Sequence, residues 1–357
     1  MKIGIFTPYL DTLTGGEKYM LTLASCLSDS HEVFIFWKKD QEEKIRNAAK
    51  SKLGIDLSII EFHANIFSQD YSFISRLIES RKYDLIIFLS DGSIPFLFTN
   101  LIIHFQFPVQ WVDASSLKTK LKIPRVKKII CNSFFTKKYI DEKFHVKGNV
   151  LYPPVDIVKK KKVKKENIIF HLGRFGLSAE GKNYKKQDVM IQAFKQMVDN
   201  GLLDWTFVIG VSIQEKDLEE LAGLKTLARG YPIEFLVNPK FDELWNRFNA
   251  ARIYWHASGF GEDLKLFPER AEHFGISTVE AMGCGQVPVV INAGGQKEII
   301  TENEDGFLWN TIDELLEKTS LLIEDQTLLK KMSQNAEAKA KKFNKKHFCD
   351  RLESLIV

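Results

Sequence analysis

The sequence predicts an α/β protein of two doubly wound domains in tandem, on three observations. Short β-branched runs alternate with amphipathic stretches along the chain, as parallel strands joined by crossover helices require. The alternation breaks at "VKKKKVKK" (158–165) and then starts afresh. The third observation is size: 357 residues, 45% of them hydrophobic, exceed what one ordinary core organises.

Taken in order, KIGIF (2–6) is the first strand and 16–27 the first helix, followed by strands in EVFIFW, YDLIIFLS, NLIIHF and KKIICNS. Each run is rich in β-branched and aromatic residues and short for a helix. Past the lysines come NIIFHLG, a helix over 186–199, WTFVIG, a second helix, IEFLV, a helix over 242–250, RIYWHA and VPVVI. The stretch 325–357 reads as helices rich in Lys and Leu. These assignments set a first domain at 1–157, a basic linker at 158–166 and a second domain at 167–342, with a terminal helix at 343–357 expected to complete the first domain. No window reaches 18 uninterrupted apolar residues, so no membrane-spanning helix is expected. Asp11 comes too early for a signal-peptide apolar region, and a cytoplasmic location is the expectation.

The net charge of +4 is mild but unevenly spread, since residues 110–165 hold 16 Lys or Arg against 4 Asp or Glu. One reading is a solvated face plus a linker; the other is attraction to a phosphate-rich surface, either nucleic acid or anionic lipid. The region lacks regular aromatic interleaving and any recognition motif, which disfavours a nucleic-acid partner. Cys26, Cys131, Cys284 and Cys349 are widely spaced with no CxxC, so all four read as buried thiols. No Asp-x-Asp and no His/Cys cluster with ligand spacing occurs, and no metal is expected.

Four glycine-containing turns fall where a strand ends and a helix begins, the edge at which open α/β sheets bind ligands: Gly15-Gly16, Gly173 before Arg174, Phe274-Gly275, and Gly294-Gly295. Glycine lets backbone approach phosphate closely, and helix N-termini favour anions. No Walker spacing occurs and no GxGxxG follows the first strand, which disfavours a P-loop kinase and a nicotinamide enzyme. In "EHFGISTVEAMGCG" (272–285) two glutamates stand eight residues apart. Ser277 to Glu280 fits a capping box, which explains Glu280 and leaves Glu272 unexplained.

The segment 268–300, "PERAEHFGISTVEAMGCGQVPVVINAGGQKEII", resembles the E-x7-E donor-site signature of glycosyltransferase family 4, retaining enzymes of the GT-B fold. "TGGEKYMLTLASCL", "NSFFTKKYI" with "VLYPPVDI", and "HLGRF" followed by "KNYKKQDVMIQAF" are similar to further segments of that family, so the resemblance runs over nearly the whole chain. It implies a GT-B architecture of two Rossmann-like doubly wound domains with an inter-domain cleft. It also implies that Glu272 lies near the transferred sugar, that Glu280 holds the ribose hydroxyls, and that the backbone of Phe274, Gly275, Ile276 and Ser277 meets the diphosphate. Arg174 and a lysine would neutralise the leaving diphosphate. The family's spacing selects Lys185, with Lys182 and Lys186 in competition because "GLSAEGKNY" lengthens the loop. Gly15, Gly16 and Gly173 are the glycine turns on the donor side, and backbone around Val237 meets the base. His104 resembles the family's acceptor-side histidine, and His256 would face the donor sugar; each also reads as a core or loop hydrogen-bonding group. Asn132 and Ser133 read as turn residues.

The implied reaction moves a hexose from a nucleoside-diphosphate sugar to a hydroxyl of a glycan, a lipid-linked sugar or a lipid. Retention is implied, with the leaving phosphate oxygen taking the proton and protein cations acting where other enzymes use a metal ion, so no cofactor is expected. The expected partners are the nucleotide sugar, the acceptor and, through the basic region, an anionic membrane surface on its cytoplasmic face. A GT-B epimerase acting on the sugar nucleotide itself is the enzymatic alternative, against which stand Arg174 with its lysine and the E-x7-E block. A nucleic-acid-binding protein is the alternative of a different class.

Overall fold

The structure is a computed structural model of the chain and describes residues 1–10, 15–112, 114, 116–160, 163–176 and 183–356, apart from the Lys118 side chain. Two compact units form: Met1–Pro154 together with the segment from Lys345 onward, and Val155–Asn344.

The first unit runs β1 (Lys2–Phe6), α1 (Gly15–Leu27), β2 (Glu32–Phe36), α2 (Glu42–Ala48), β3 (Glu61–His63), α3 (Phe73–Ser80), β4 (Leu85–Leu89), β5 (Asn100–Phe105), α4 (Leu117–Lys122), β6 (Val126–Cys131), α5 (Phe134–Phe144) and β7 (Asn149–Val150). All pairings are parallel, in the order β3-β2-β1-β4-β5-β6-β7. A parallel sheet covered on both faces needs strands that are apolar throughout, and every residue of β4, LIIFL, is buried. Ile3, Ile5, Leu23 and Ile87 belong to the core on one face; Phe36, Phe88, Ile103 and Phe105 belong to that on the other.

The C-terminal helix (Lys345–Ile356) sets Phe348, Leu352 and Leu355 into the α1 side of this core. That packing corrects the reading of four free thiols, because Cys26 of α1 and Cys349 are joined by a disulfide. The pair is 323 residues apart in sequence, and only the return of the last helix to the first brings it together. Cys131 and Cys284 are free and buried, as buried thiols should be. The same helix accounts for part of the basic region. Lys127 and Lys128 donate to its last carbonyls, on Ile356 and Leu355, at 3.5 and 2.6 Å, the end at which a helix favours cations.

The second unit runs β8 (Ile168–Arg174), α6 (Gln187–Asp199), β9 (Thr206–Ser212), α7 (Leu218–Leu227), β10 (Ile233–Val237), α8 (Phe241–Ala250), β11 (Ile253–His256), α9 (Ile276–Gly283), β12 (Val287–Ile291), α10 (Gln296–Ile299), β13 (Phe307–Trp309), α11 (Ile312–Glu324) and α12 (Gln326–Ala340). Its strands are also all parallel, in the order β10-β9-β8-β11-β12-β13. The lysine run expected as a linker is docked on this unit instead. Lys159 pairs with Glu337, Lys160 with Asp242 at 2.7 Å, and the Lys160 N–H donates to Asn249 at 3.0 Å. Lys165 donates to the carbonyls of Ala251 and Cys284, and burial pulls its pKa down to about 8. Linker composition misleads here because a lysine stem packs while its head finds a carbonyl. Lys161 and Lys162 lie outside the described residues. Among the described residues no helix is long and apolar enough to cross a membrane.

Candidate active site

In the second sheet the strand order reverses between β8 and β11, and their C-terminal ends carry Gly173-Arg174 and His256. Such a reversal opens a crevice in doubly wound sheets. A cavity of about 250 Å³ lies there, lined by both strand ends, by Tyr184 and Lys185 ahead of α6, and by Glu269, Ala271, Glu272, His273 and Ser277 at the entry to α9.

The entry to α9 depends on Gly275, whose φ of 120° suits glycine alone among ordinary residues. Gly275 is therefore the N-cap and the helix begins at Ile276, two residues ahead of the start that a Ser277 cap would require. No capping box forms. The Ser277 hydroxyl instead lies 2.8 Å from that of Tyr254. Gly294 and Gly295 support this segment from below: the Gly295 N–H donates to the Glu272 carbonyl at 2.8 Å, and a side chain at either glycine would collide with the 272–274 backbone. They do not line the cavity.

At the centre of the cavity lining, Lys185 Nζ lies 2.8 Å from Glu272 Oε2, and His256 Nε2 lies 3.3 Å from the same oxygen. His256 Nδ1 accepts from the Ser258 N–H at 3.4 Å, which leaves the proton on Nε2 to be donated to Glu272. Burial pushes the Glu272 carboxyl up, but the Lys185 charge and the His256 hydrogen bond outweigh it, so Glu272 sits well below the ordinary carboxylate value. Burial lowers His256 against the pull of Glu272. It lowers His171 to about 3 and His273 to about 4 as well. Three neutral imidazoles thus surround one ion pair.

Of the three lysines in competition, Lys185 lines the cavity, whereas Lys186 pairs with Glu262 at 2.6 Å, which Arg270 also holds at 2.7 Å. Lys182 lies outside the described residues. Sequence reasoning missed His171, Tyr184, Glu269 and His273. His171 shares a strand face with Gly173 by the period of two, and His273 adjoins Glu272, so both had a faint signal. Glu269 had none, and its Oε2 is buried without a hydrogen-bond partner.

Other expected site residues stand apart from the cavity lining. Glu280 is half-buried, one turn beyond Ser277 on α9. Val237 ends β10 at the sheet edge, separated from β8 by β9. The Phe274 side chain packs on Phe343 with ring centroids 5.5 Å apart, so it offers only backbone. Gly15, Gly16 and His104 belong to the first unit. There the Gly16 carbonyl accepts from Gln106 at 3.1 Å, and His104 is fully buried with its ring stacked on Tyr19. His104 Nδ1 donates to the Ile130 carbonyl at 3.1 Å, which leaves the lone pair on Nε2, and that atom is buried without a partner. Burial pulls its pKa down to about 3. Asn132 donates to the Gln106 carbonyl, and Ser133 caps α5 by accepting from the Thr136 N–H.

A family model described as glycosyl transferases group 1 matches residues 154–339, the stretch that builds this cavity. The chain belongs to that family. This group 1 glycosyltransferase is 27% identical over 205 residues to the GDP-Man:Man(3)GlcNAc(2)-PP-Dol alpha-1,2-mannosyltransferase of Xenopus laevis, a match covering 52% of this chain and 39% of that one. The chain thus spans less than half the length of that relative. It is 25% identical to an alpha-1,3/1,6-mannosyltransferase of Dictyostelium discoideum, covering 100% of this chain and 98% of that protein. Among solved structures, Anabaena HepE in complex with UDP superposes with a TM-score of 0.75 at 19% identity, covering 100% of this chain and 99% of that one. The fold is GT-B, two Rossmann-like domains.

Proposed function

We propose that this glycosyltransferase moves a hexose, with retention, from a nucleoside-diphosphate sugar to a hydroxyl of a lipid-linked glycan, and that it needs no metal ion to do so. The observation that carries this reading is the Lys185–Glu272 ion pair, 2.8 Å long, in a cavity that also holds Arg174. An ammonium has three donors, and Glu272 uses one of them, so Lys185 can hold its carboxylate and two phosphate oxygens together. Arg174 adds a forked guanidinium. As the bond from sugar to diphosphate breaks, negative charge grows on the leaving oxygens, and preorganised cations stabilise it where it develops.

The histidines are poor bases for this reaction, because burial keeps His171 near about 3 and lowers His256 too. The leaving phosphate oxygen therefore takes the proton of the acceptor hydroxyl, which attacks from the face the diphosphate leaves. Glu272, kept ionised by Lys185, accepts hydrogen bonds from the sugar, and the unpaired Glu269 Oε2 offers a further acceptor. In the first unit the acceptor-side role of His104 requires its Nε2, buried and without a partner, to be uncovered to a sugar hydroxyl. Glu280 would hold the ribose, backbone near Val237 the base, and the N–H groups at 274–277 the diphosphate. The lipid-linked acceptor is supported by the dolichol-diphosphate glycan in the name of the Xenopus laevis relative.

The test is transfer from a panel of sugar nucleotides to a diphosphate-lipid glycan, with EDTA present and the anomeric configuration read by NMR. Retained configuration in EDTA is expected. Inversion, or a need for Mg²⁺ or Mn²⁺ in the chemical step, overturns the reading. Interconversion of the sugar nucleotide without acceptor would establish the epimerase instead.

A further inference from the structure

The first unit presents an apolar face that its own fold leaves open. On α3, Phe73, Ile74 and Ile78 are 57%, 68% and 58% exposed, while Leu77 and Ser80 turn inward. Ile74 and Ile78, four residues apart, lie on one side of adjacent turns, and Phe73 flanks them at the start of the helix. Phe73 lies against Phe96, with ring centroids 6.2 Å apart, and Phe96 against the exposed Phe98 at 6.4 Å, so the face continues onto the loop at 94–98. Two guanidinium groups rest on these rings: Arg125 is 4.3 Å from the Phe96 centroid and Arg81 is 4.7 Å from that of Phe98. Arg125 closely follows α4, which exposes Leu117, Lys120 and Leu121. The one carboxylate on α3, Glu79, is paired with Lys82 at 2.7 Å.

We propose that this face docks the protein on a membrane surface rich in anionic lipid. Contiguous exposed apolar surface on a folded unit marks an interaction site, and a second protein copy could in principle fill it. The arginines select lipid. A cation stacked on an aromatic ring at the rim of an apolar face reaches a headgroup phosphate while the ring enters the acyl boundary. Arg125 belongs to the basic region at 110–165, other cations of which are engaged within the fold, since Lys127 and Lys128 hold the C-terminal helix and Lys137 pairs with Asp141. The inference deepens the proposed reaction, since it puts the protein on the surface that would carry a lipid-linked acceptor, but its evidence is independent of the donor cavity.

The test is co-sedimentation of the full chain with phosphatidylcholine vesicles and with vesicles of phosphatidylcholine and phosphatidylglycerol in equal parts. Two variants accompany it: Ile74→Ser with Ile78→Ser, and Arg81→Gln with Arg125→Gln. Wild type should bind the mixed vesicles, bind neutral ones far less, and weaken with salt; each double variant should lose about tenfold in partitioning. Unchanged far-ultraviolet circular dichroism and melting temperature show that the variants are folded in the first unit, and a failure of the transfer reaction leaves the vesicle result standing. Equal sedimentation of wild type and both variants, or equal binding to neutral vesicles, overturns the proposal. A dimer seen by light scattering that the isoleucine variant dissociates overturns it too, by assigning the face to a second copy.

Discussion

Each unit buries a histidine near the C-terminal end of a parallel strand, His104 in β5 and His256 in β11, and the two are held in different ways. His256 donates to Glu272, which in turn holds Lys185, so one imidazole is tied to an ion pair built from two separate loops. His104 is held by neutral groups, the Tyr19 ring and the Ile130 carbonyl, and its Nε2 is left without a partner. Burial lowers both pKa values, and only His256 has a carboxylate pulling the other way. The difference teaches that a histidine at a strand end is not a site by itself. Charge at the second-unit cavity comes from residues that the chain brings in from elsewhere, and those residues decide what the imidazole can do.

The largest way to break the comparison is to remove that charge. Lys185→Ala should slow transfer by roughly 10² to 10³, the scale of losing one preorganised electrostatic stabiliser, and Arg174→Ala should fall in the same range. Steady-state rates on proteins with unchanged melting temperature provide the check. Transfer at the wild-type rate in both variants would leave the ion pair with a structural role only.

His104 sharpens the contrast on the other side. Replacing it with Phe keeps the ring and removes the open Nε2. If that nitrogen accepts a hydrogen bond from a sugar, kcat should fall by about tenfold, the worth of one hydrogen bond made in the transition state, while nucleoside-diphosphate affinity holds. A wild-type kcat with altered thermal stability would make His104 a core residue and nothing more.

A smaller effect should appear in acid. His104 and His171 are held at about 3 in the folded chain by burial, against about 6.5 for an ordinary histidine. Below about 6.5 the unfolded chain therefore takes up protons that the folded chain refuses, and stability is lost progressively toward pH 3. Glu272 adds to this lower down, since its folded value lies below 4.5 and its contribution is lost as pH falls through that folded value. Melting temperature should be near level from about pH 6.5 to 8 and fall steadily below, with a shallower slope in His104→Phe. An identical slope in the variant would mean that His104 is not held neutral by the fold.

Much of the fold was legible because parallel strands buried on both faces leave continuous apolar runs, and every strand quoted from the sequence lies in one of the two sheets. The grouping at the candidate site was legible for a different reason: the resemblance named Glu272, Arg174 and Lys185, and the structure brings the three to one cavity. What failed was local pattern without context. Ser277 and Glu280 match a capping box, yet Gly275 with its positive φ took the cap. The lysine run has the composition of a linker, yet carbonyls and carboxylates hold its heads. Glu269 and the Cys26–Cys349 pair depend on segments meeting in space, for which no spacing in the chain gives a sign.

The most direct test of the central claim, that Lys185 is the phosphate lysine of the second-unit cavity, is calorimetric titration of GDP and of UDP into three folded proteins: wild type, Lys185→Ala and Lys186→Ala. The account predicts that whichever nucleotide binds wild type binds Lys185→Ala at least about tenfold more weakly, the loss of one charge-assisted contact, and binds Lys186→Ala within about threefold of wild type because Glu262 already occupies that ammonium. Equal affinity in wild type and Lys185→Ala, or the larger loss in Lys186→Ala, would contradict it.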